Sequence, residues 1–265
     1  MEGMLESFDD AQVAGLLIAL RAKQATGSEL AAMASVLHRH MTDHTYDGDL
    51  VDTCGTGGGA PSFNMSTAAA LVVAACGVTV AKHGNRAVTS TCGSADVLEH
   101  LGVRLDGDPE ESLHQHGIAI LFAPHYHPAL KRVGPVRRSL GVRTVFNQLG
   151  PLVNPLGAKR QLVGVYDDRL LRPMAEALVQ LGAERAWVVH SEDGLDEVSP
   201  CAPTRVAACI GGSIEEFTLD PATLLGERLP PSALTPGETI EESAAILLKA
   251  ISEPTSLRAR ALIPN

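Results

Sequence analysis

Apolar residues near the start of the chain recur three and four positions apart. Val13, Leu16, Leu17 and Leu20 follow the acidic turn Asp9-Asp10, and Leu30, Met33 and Leu37 follow a break at Gly27-Ser28. This spacing puts each set on one helix face, so the chain opens with two helices, the second starting near Ser28 and reaching the His38–His40 region. The pattern shortens after Tyr46–Asp49. Leu50-Val51-Asp52, Val78-Thr79-Val80-Ala81 and Ile118–Phe122 are short apolar runs and read as strands. Helical patterns run between them from about Ser66 to Cys76 and from Ser94 to Leu101. Such alternation predicts parallel βαβ units and an α/β fold.

The alternation lapses over Pro128–Leu149, a basic helical stretch stopped by Pro151 and Pro155. It resumes with a strand at Gln161–Val165, a helix at Leu170–Leu181 and a strand at Ala186–His190. Arg205–Cys209 and Ile214–Phe217 read as paired strands around Gly211-Gly212, and Ile240–Ile251 as the last helix. Pro230-Pro231 and Pro236-Gly237 mark an irregular linker. There is no internal repeat.

Composition narrows the classes. The 265 residues are 45% hydrophobic and 20% charged, ordinary globular usage. A net charge of −10 argues against a general nucleic-acid surface, while leaving room for a local site for a small anion. The five cysteines, Cys54, Cys76, Cys92, Cys201 and Cys209, are odd in number and never spaced as Cys-x-x-Cys, so buried free thiols are expected rather than a zinc site or disulfides. The acidic N-terminus lacks the form of a signal peptide, and no apolar run is long enough to span a membrane; a cytoplasmic protein is expected.

A few short segments carry chemistry. Gly55-Thr56-Gly57-Gly58-Gly59, between a strand and a helix, lets backbone N–H groups approach a phosphate. Gly55-x-Gly57-x-x-Ala60 loosely fits a dinucleotide loop, but the next strand ends in Lys82-His83 where that reading wants a carboxylate, and no Gly-Lys-Ser/Thr supports a Walker loop. Asn64-Met65-Ser66-Thr67 opens the next helix; its hydroxyls are ordinary caps or face whatever the loop holds. Lys82-His83-Gly84-Asn85-Arg86 places cations beyond a strand end, where open α/β sheets bind ligands, and Ser90-Thr91-Cys92-Gly93-Ser94 adds a second hydroxyl-rich helix start. Asp193-Gly194-Leu195-Asp196-Glu197 offers carboxylates for Mg²⁺, or forms an acidic surface turn. Arg137 could recognise a planar carboxylate or sit on a basic surface. The pairs His38/His40, His114/His116 and His125/His127 lack neighbouring ligands in sequence, which speaks against metal binding there.

With these segments in place, the chain resembles the anthranilate phosphoribosyltransferase family. The likeness runs from Leu50 to Leu225 through Val80–Val88, Gly93–Glu99, Phe122–Pro128, Val136-Arg137-Arg138, Phe146–Leu152 and Asp193–Glu197. The resemblance implies a small helical domain, residues 1–46 with a returning insertion at 124–155, joined to an α/β domain of residues 47–123 and 156–265, usually in a homodimer. It implies phosphoribosyl pyrophosphate and anthranilate as substrates, with Mg²⁺, and neither nucleic acid nor membrane as partner. By matching position, Gly55, Gly57, Gly58, Asn64, Ser66, Thr67, Lys82 and Ser94 would bind phosphoribosyl pyrophosphate, and Ser66, Asp196 and Glu197 the metal. Gly55, Asn85, His127, Arg137, Gly150 and Pro151 would bind anthranilate, with Lys82, His83 and Arg137 as the catalytic group.

The chain departs from the family's wording at Gly59, where an Asp is expected in a loop one residue longer, and it ends at Asn265 where relatives continue with helices covering the sheet. Its N-terminal helix is also short. Weaker donor affinity and lower stability than a full-length relative are therefore expected. An inactive, phosphate-ligand-binding or regulatory paralogue is the alternative. A pyrimidine-nucleoside phosphorylase shares the architecture but lacks the His-Gly-Asn-Arg wording.

Overall fold

The computed structural model describes residues 1–42, 44–86 and 92–265. Seven strands form one sheet: β1 (Val51–Asp52), β2 (Val80–Gly84), β3 (Ile118–Phe122), β4 (Arg160–Gly164), β5 (Arg185–Ser191), β6 (Thr204–Ile210) and β7 (Ser213–Leu219). Their order is β3-β2-β1-β4-β5-β6-β7. The first five strands run parallel, with Val51 opposite both Val80 and Arg160, and Val163 opposite Val188. β6 and β7 run antiparallel to their neighbours. Gly211 and Gly212, at φ 55° and 84°, close the β6–β7 hairpin, a two-residue turn that needs positive φ at both positions. The sheet is mixed α/β and mostly parallel, as the alternation predicts.

Among the described residues, the helices are α1 (Glu2–Glu6), α2 (Asp10–Lys23), α3 (Gly27–Arg39), α4 (Met65–Ala75), α5 (Ser94–His100), α6 (Pro109–His116), α7 (Ala123–Tyr126), α8 (Gly134–Leu140), α9 (Val145–Leu149), α10 (Leu171–Gln180), α11 (Ala222–Leu225), α12 (Ile240–Ser252) and α13 (Leu257–Ala261). The starts of α2 and α3 are set by reciprocal caps: Asp9 accepts from Gln12 N–H while the Gln12 amide oxygen accepts from Asp9 N–H, and Thr26 and Glu29 repeat the device. Leu17, Leu30, Val133, Phe146, Leu149, Val163, Met174 and Val188 belong to one buried cluster, so α2, α3, α8–α10 and the sheet centre share a core. A second cluster lies between α4, α12 and α13.

Several expectations shift. β2 begins at Val80, not Val78, and continues to Gly84, which makes Lys82 and His83 buried strand residues rather than loop cations. The stretch 128–149 is not one helix but short turns broken at Pro128, Gly134 and Gly141. Helices α1, α6, α11 and α13 escaped the periodicity because most are a turn or two long, and α13 rather than α12 is the last. No disulfide forms among the described residues, yet of the cysteines Cys209 alone is buried; Cys76 is exposed and Cys54, Cys92 and Cys201 are partly covered. None of the described helices is long and apolar enough to cross a membrane.

Because β1, β2, β4 and β5 are parallel, the loops after them leave the same edge of the sheet. That edge carries the chemistry.

Candidate active site

The loop after β1 is held open by its neighbours. Thr56 N–H donates to the Gly164 carbonyl at 2.8 Å, and Ala60 N–H to the Gly194 carbonyl at 2.7 Å. Gly57 and Gly58 take φ of 67° and 85°, which a side chain would resist. A Cβ on Gly164 would overlap the Asp196 backbone, and one on Gly59 would press on the Asp196 carboxylate. Bare backbone is thus what lets the loop after β5 cross the end of β4 and lie against the loop after β1.

Lys82 is buried beneath this junction. Its ammonium donates to the Thr53 carbonyl at 2.9 Å, with the Thr53 and Ser66 hydroxyls at 3.3 and 3.4 Å. A buried ammonium costs several kcal/mol without partners or countercharge. Asp52 lies beside it, accepting from Asn154 Nδ2 at 2.8 Å and His83 N–H at 3.1 Å, and burial still pushes its carboxyl up to about 6. Across the cleft, Ser66 N–H donates to Glu197 at 3.3 Å. Part of each residue's surface stays accessible, but the carboxyl groups of Asp196 and Glu197 sit in a desolvated cleft. Desolvation, then the adjacent Asp196 charge, pushes Glu197 up to about 8. Desolvation also raises Asp196, opposed by the N–H groups of Gly59 and Gly57 that point at it. Two crowded carboxylates with a hydroxyl at hand form an all-oxygen donor set, and a hard divalent cation would remove their repulsion. These residues fit Mg²⁺.

Asp193 does not join this pair; it accepts from the Ser199 hydroxyl at 2.6 Å. Thr67, at the first turn of α4, is buried with its hydroxyl unpartnered, and Asn64 precedes the helix without capping it through its side chain. Ser94 starts α5 with its hydroxyl 3.4 Å from the Asn85 carbonyl. Arg86 is exposed and neutralised by Asp96 and Glu99, both at 2.9 Å, so it adds no free cation. Ala87, Val88, Ser90 and Thr91 lie outside the described residues.

A second group lies where α8 and α9 approach the end of β2. His83 Nδ1 meets the Gly150 carbonyl at 3.1 Å, and its ring faces that of His127 at 5.2 Å. Both rings are buried. His83 Nε2 has no partner, and neither ring nitrogen of His127 makes a well-formed hydrogen bond, although the Val153 backbone lies near enough to affect its titration. Burial lowers both, His83 to about 3 and His127 to about 4, so both rings are neutral at pH 7. His38 joins them through the Leu152 carbonyl at 3.1 Å. Pro151 is fixed by the Gln161 amide donating to its carbonyl at 2.9 Å. The half-buried Arg137 guanidinium stacks 5.1 Å above Phe146 and has neither hydrogen bond nor ion pair among the described residues. Such a cation, half out of water, is matched to an incoming carboxylate.

The remaining histidine pairs behave differently from one another. His114 and His125 pack on Tyr46 and Phe122 as rings. His40, by contrast, meets Glu2 at 2.7 Å and Glu6 at 3.8 Å, carboxylates that sequence spacing did not bring near it; Arg39 already pairs with Glu2. Asp52, Asn154 and Arg143 were not foreseen at the site. Asn154 joins Asp52 across 102 positions, a contact no local pattern reports.

This edge can be set beside known proteins. Residues 47–264 match the model of the glycosyl transferase family, a/b domain. The anthranilate phosphoribosyltransferase of Desulfatibacillum aliphaticivorans is 51% identical over 248 residues, 92% of this chain and 73% of the relative. The chain belongs to the anthranilate phosphoribosyltransferase family. A second member, from Pelotomaculum thermopropionicum, is 47% identical over 100% of this chain and 78% of its own length. Among solved structures, the family member from Thermus thermophilus superposes with a TM-score of 0.88 at 43% identity, covering 98% of this chain and 79% of that one. The Saccharomyces cerevisiae member in complex with PRPP and Mg gives 0.85 at 28% identity, covering 98% and 76%.

Proposed function

We propose that the chain transfers the 5-phosphoribosyl group of phosphoribosyl pyrophosphate to the amine of anthranilate, giving N-(5-phosphoribosyl)anthranilate and pyrophosphate in tryptophan biosynthesis. Two observations support this reading: a bare glycine loop over paired carboxylates at the sheet edge, and a half-buried arginine on α8 with no hydrogen bond or ion pair among the described residues. One group suits a polyphosphate and the other a carboxylate.

The backbone N–H groups of Gly55, Gly57 and Gly58 cradle the pyrophosphate, with Asn64, Ser66, Thr67 and Ser94 reaching the rest of the donor. The unpartnered Thr67 hydroxyl is available for this. Mg²⁺ held by Asp196, Glu197 and the Ser66 hydroxyl would supply positive charge to the departing pyrophosphate. Lys82 adds a fixed buried cation below the loop and braces Ser66. Arg137 pairs with the anthranilate carboxylate, and Gly55, Asn85, His127, Gly150 and Pro151 shape the path to the donor. His83, neutral, bonds to Gly150 through its ring and to Asp52 through its N–H, which links the second group to the surroundings of Lys82. The C1–oxygen bond to pyrophosphate breaks with its electron pair leaving on oxygen, the amine nitrogen bonds C1, and the amine proton passes to solvent. No side chain is assigned as general base; the work is electrostatic stabilisation of the leaving group and alignment of the amine.

The helical division into residues 1–46 plus 124–155, the homodimer and the cytoplasmic location belong to the same proposal, supported by the family. The inactive paralogue is favoured by one observation: Gly59 has no side chain, and Asp196 lies against the loop amides a phosphate would use.

Steady-state kinetics of two variants test the assignment of the two groups. Arg137→Ala should raise KM for anthranilate by about two orders of magnitude with a small effect on the donor, and Lys82→Ala should lower kcat and weaken donor binding. Equal effects of both variants on both substrates would contradict it.

A further inference from the structure

Arg143 is used by nothing described so far, yet it touches both the glycine loop and the opening helices. Its guanidinium donates to the Gly58 carbonyl and occupies the space that a side chain on Gly58 would need. It also lies 4.3 Å from the centre of the Tyr166 ring, stacked as a cation on an aromatic face. The Tyr166 N–H donates to the Thr56 hydroxyl at 3.1 Å, so the shelf under Arg143 is itself bonded to the glycine loop. The Arg143 charge is felt at Asp196, on the loop's other side.

The backbone of the same residue faces the helical segment. The Arg143 carbonyl accepts from the Arg21 guanidinium of α2 at 2.6 Å, and Arg143 directly precedes Thr144 and α9. Arg21, Arg143 and Tyr166 line one cavity of about 410 Å³ between α2 and the loop after β4. A chain of direct contacts therefore runs from α2, through Arg143, to the carbonyl of Gly58.

We propose that Arg143 is a positioning residue for the donor: it fixes the conformation of the Gly55–Gly59 loop and ties that loop to the helical segment carrying Arg137. This rests on the reading of the loop as the pyrophosphate cradle. A peptide whose carbonyl is held from one side has its N–H aimed to the other, so the Gly58 contact fixes the Gly58–Gly59 peptide and with it the Gly59 N–H that points at Asp196, a residue that would hold the donor's Mg²⁺. Gly57 and Gly58 sit at positive φ and would otherwise sample many conformations. The planar guanidinium suits the task because it stacks and donates at once, which an ammonium cannot reproduce.

The test uses the full chain with Arg143→Met, Arg143→Lys and Tyr166→Leu. Binding of phosphoribosyl pyrophosphate with Mg²⁺ is measured by calorimetry, KM is measured for each substrate, and hydrogen exchange of residues 55–60 is followed without ligand. Arg143→Met should weaken donor binding about tenfold or more, leave the anthranilate KM within about twofold, and speed exchange in residues 55–60 while α10 is unchanged. Arg143→Lys and Tyr166→Leu should fall between Met and the parent. Unchanged donor affinity with unchanged loop exchange would overturn the proposal. So would a parallel loss of both affinities with faster exchange in α10, the signature of general destabilisation. If the parent chain binds no donor, the functional reading fails, and the exchange comparison still decides the role of Arg143.

Discussion

His83 and His127 show how far single residues here depend on what surrounds them. Both are held neutral by burial, with folded values of about 3 and 4 against an ordinary 6.5. In the unfolded chain they take up protons first as pH falls below 6.5. Their contribution is therefore fully present above pH 6.5 and is lost as pH drops toward 4, by about 2 kcal/mol for each ring at pH 5. Glu197 acts in the opposite sense, because its raised folded value favours the folded state at lower pH. The parent profile mixes the two, so the informative quantity is a difference. Urea unfolding at pH 7 and pH 5 should show His127→Gln losing about 2 kcal/mol less on acidification than the parent. Identical losses would mean that His127 is not held neutral. At this scale the sequence announced the chemistry of Lys82, His83 and Arg137 but not their setting. The apolar run Val78–Ala81 ended too early to show that Lys82 and His83 continue the strand. Arg143 gave no signal, since its partner Gly58 lies 85 positions away.

Elements place the site through two close crossings of bare backbone. The loop after β5 passes over Gly164, where a methyl group would overlap the Asp196 backbone. Gly164→Ala should thus cost about 3 kcal/mol or more in unfolding free energy and weaken Mg²⁺ binding by moving Asp196. Gly182 is the control: its φ is 86° but the space around it is open, so Gly182→Ala should cost only about 1 kcal/mol and leave metal binding alone. Chemical unfolding with Mg²⁺ titration of both variants separates the two, and equal costs would remove the crossing from the account. The parallel alternation, the hairpin at Gly211-Gly212 and the helices α2–α5, α10 and α12 were legible because each has a period or a turn residue of its own. The segment 123–152 was legible only as an interruption. Its short turns are fixed by tertiary bonds such as His38 to Leu152 and Gln161 to Pro151, which no local pattern encodes.

At the scale of the whole molecule, one core joins the opening helices and the 123–152 segment to the sheet. Arg137 on α8 rests on that shared packing, whereas the glycine loop after β1 is tied to the sheet by its bonds to the Gly164 and Gly194 carbonyls. The proposed function draws on two groups far apart in sequence, and it requires both substrates to be held at once. The wording of the motifs led to the family from sequence alone, while the relation between the two groups needed the fold. The most direct test follows the fall in anthranilate fluorescence when the purified chain is mixed with anthranilate and phosphoribosyl pyrophosphate, with and without Mg²⁺. The account predicts a decay that requires both the donor and Mg²⁺ and yields N-(5-phosphoribosyl)anthranilate. No decay from protein shown to be folded by circular dichroism would contradict it and turn attention to Gly59.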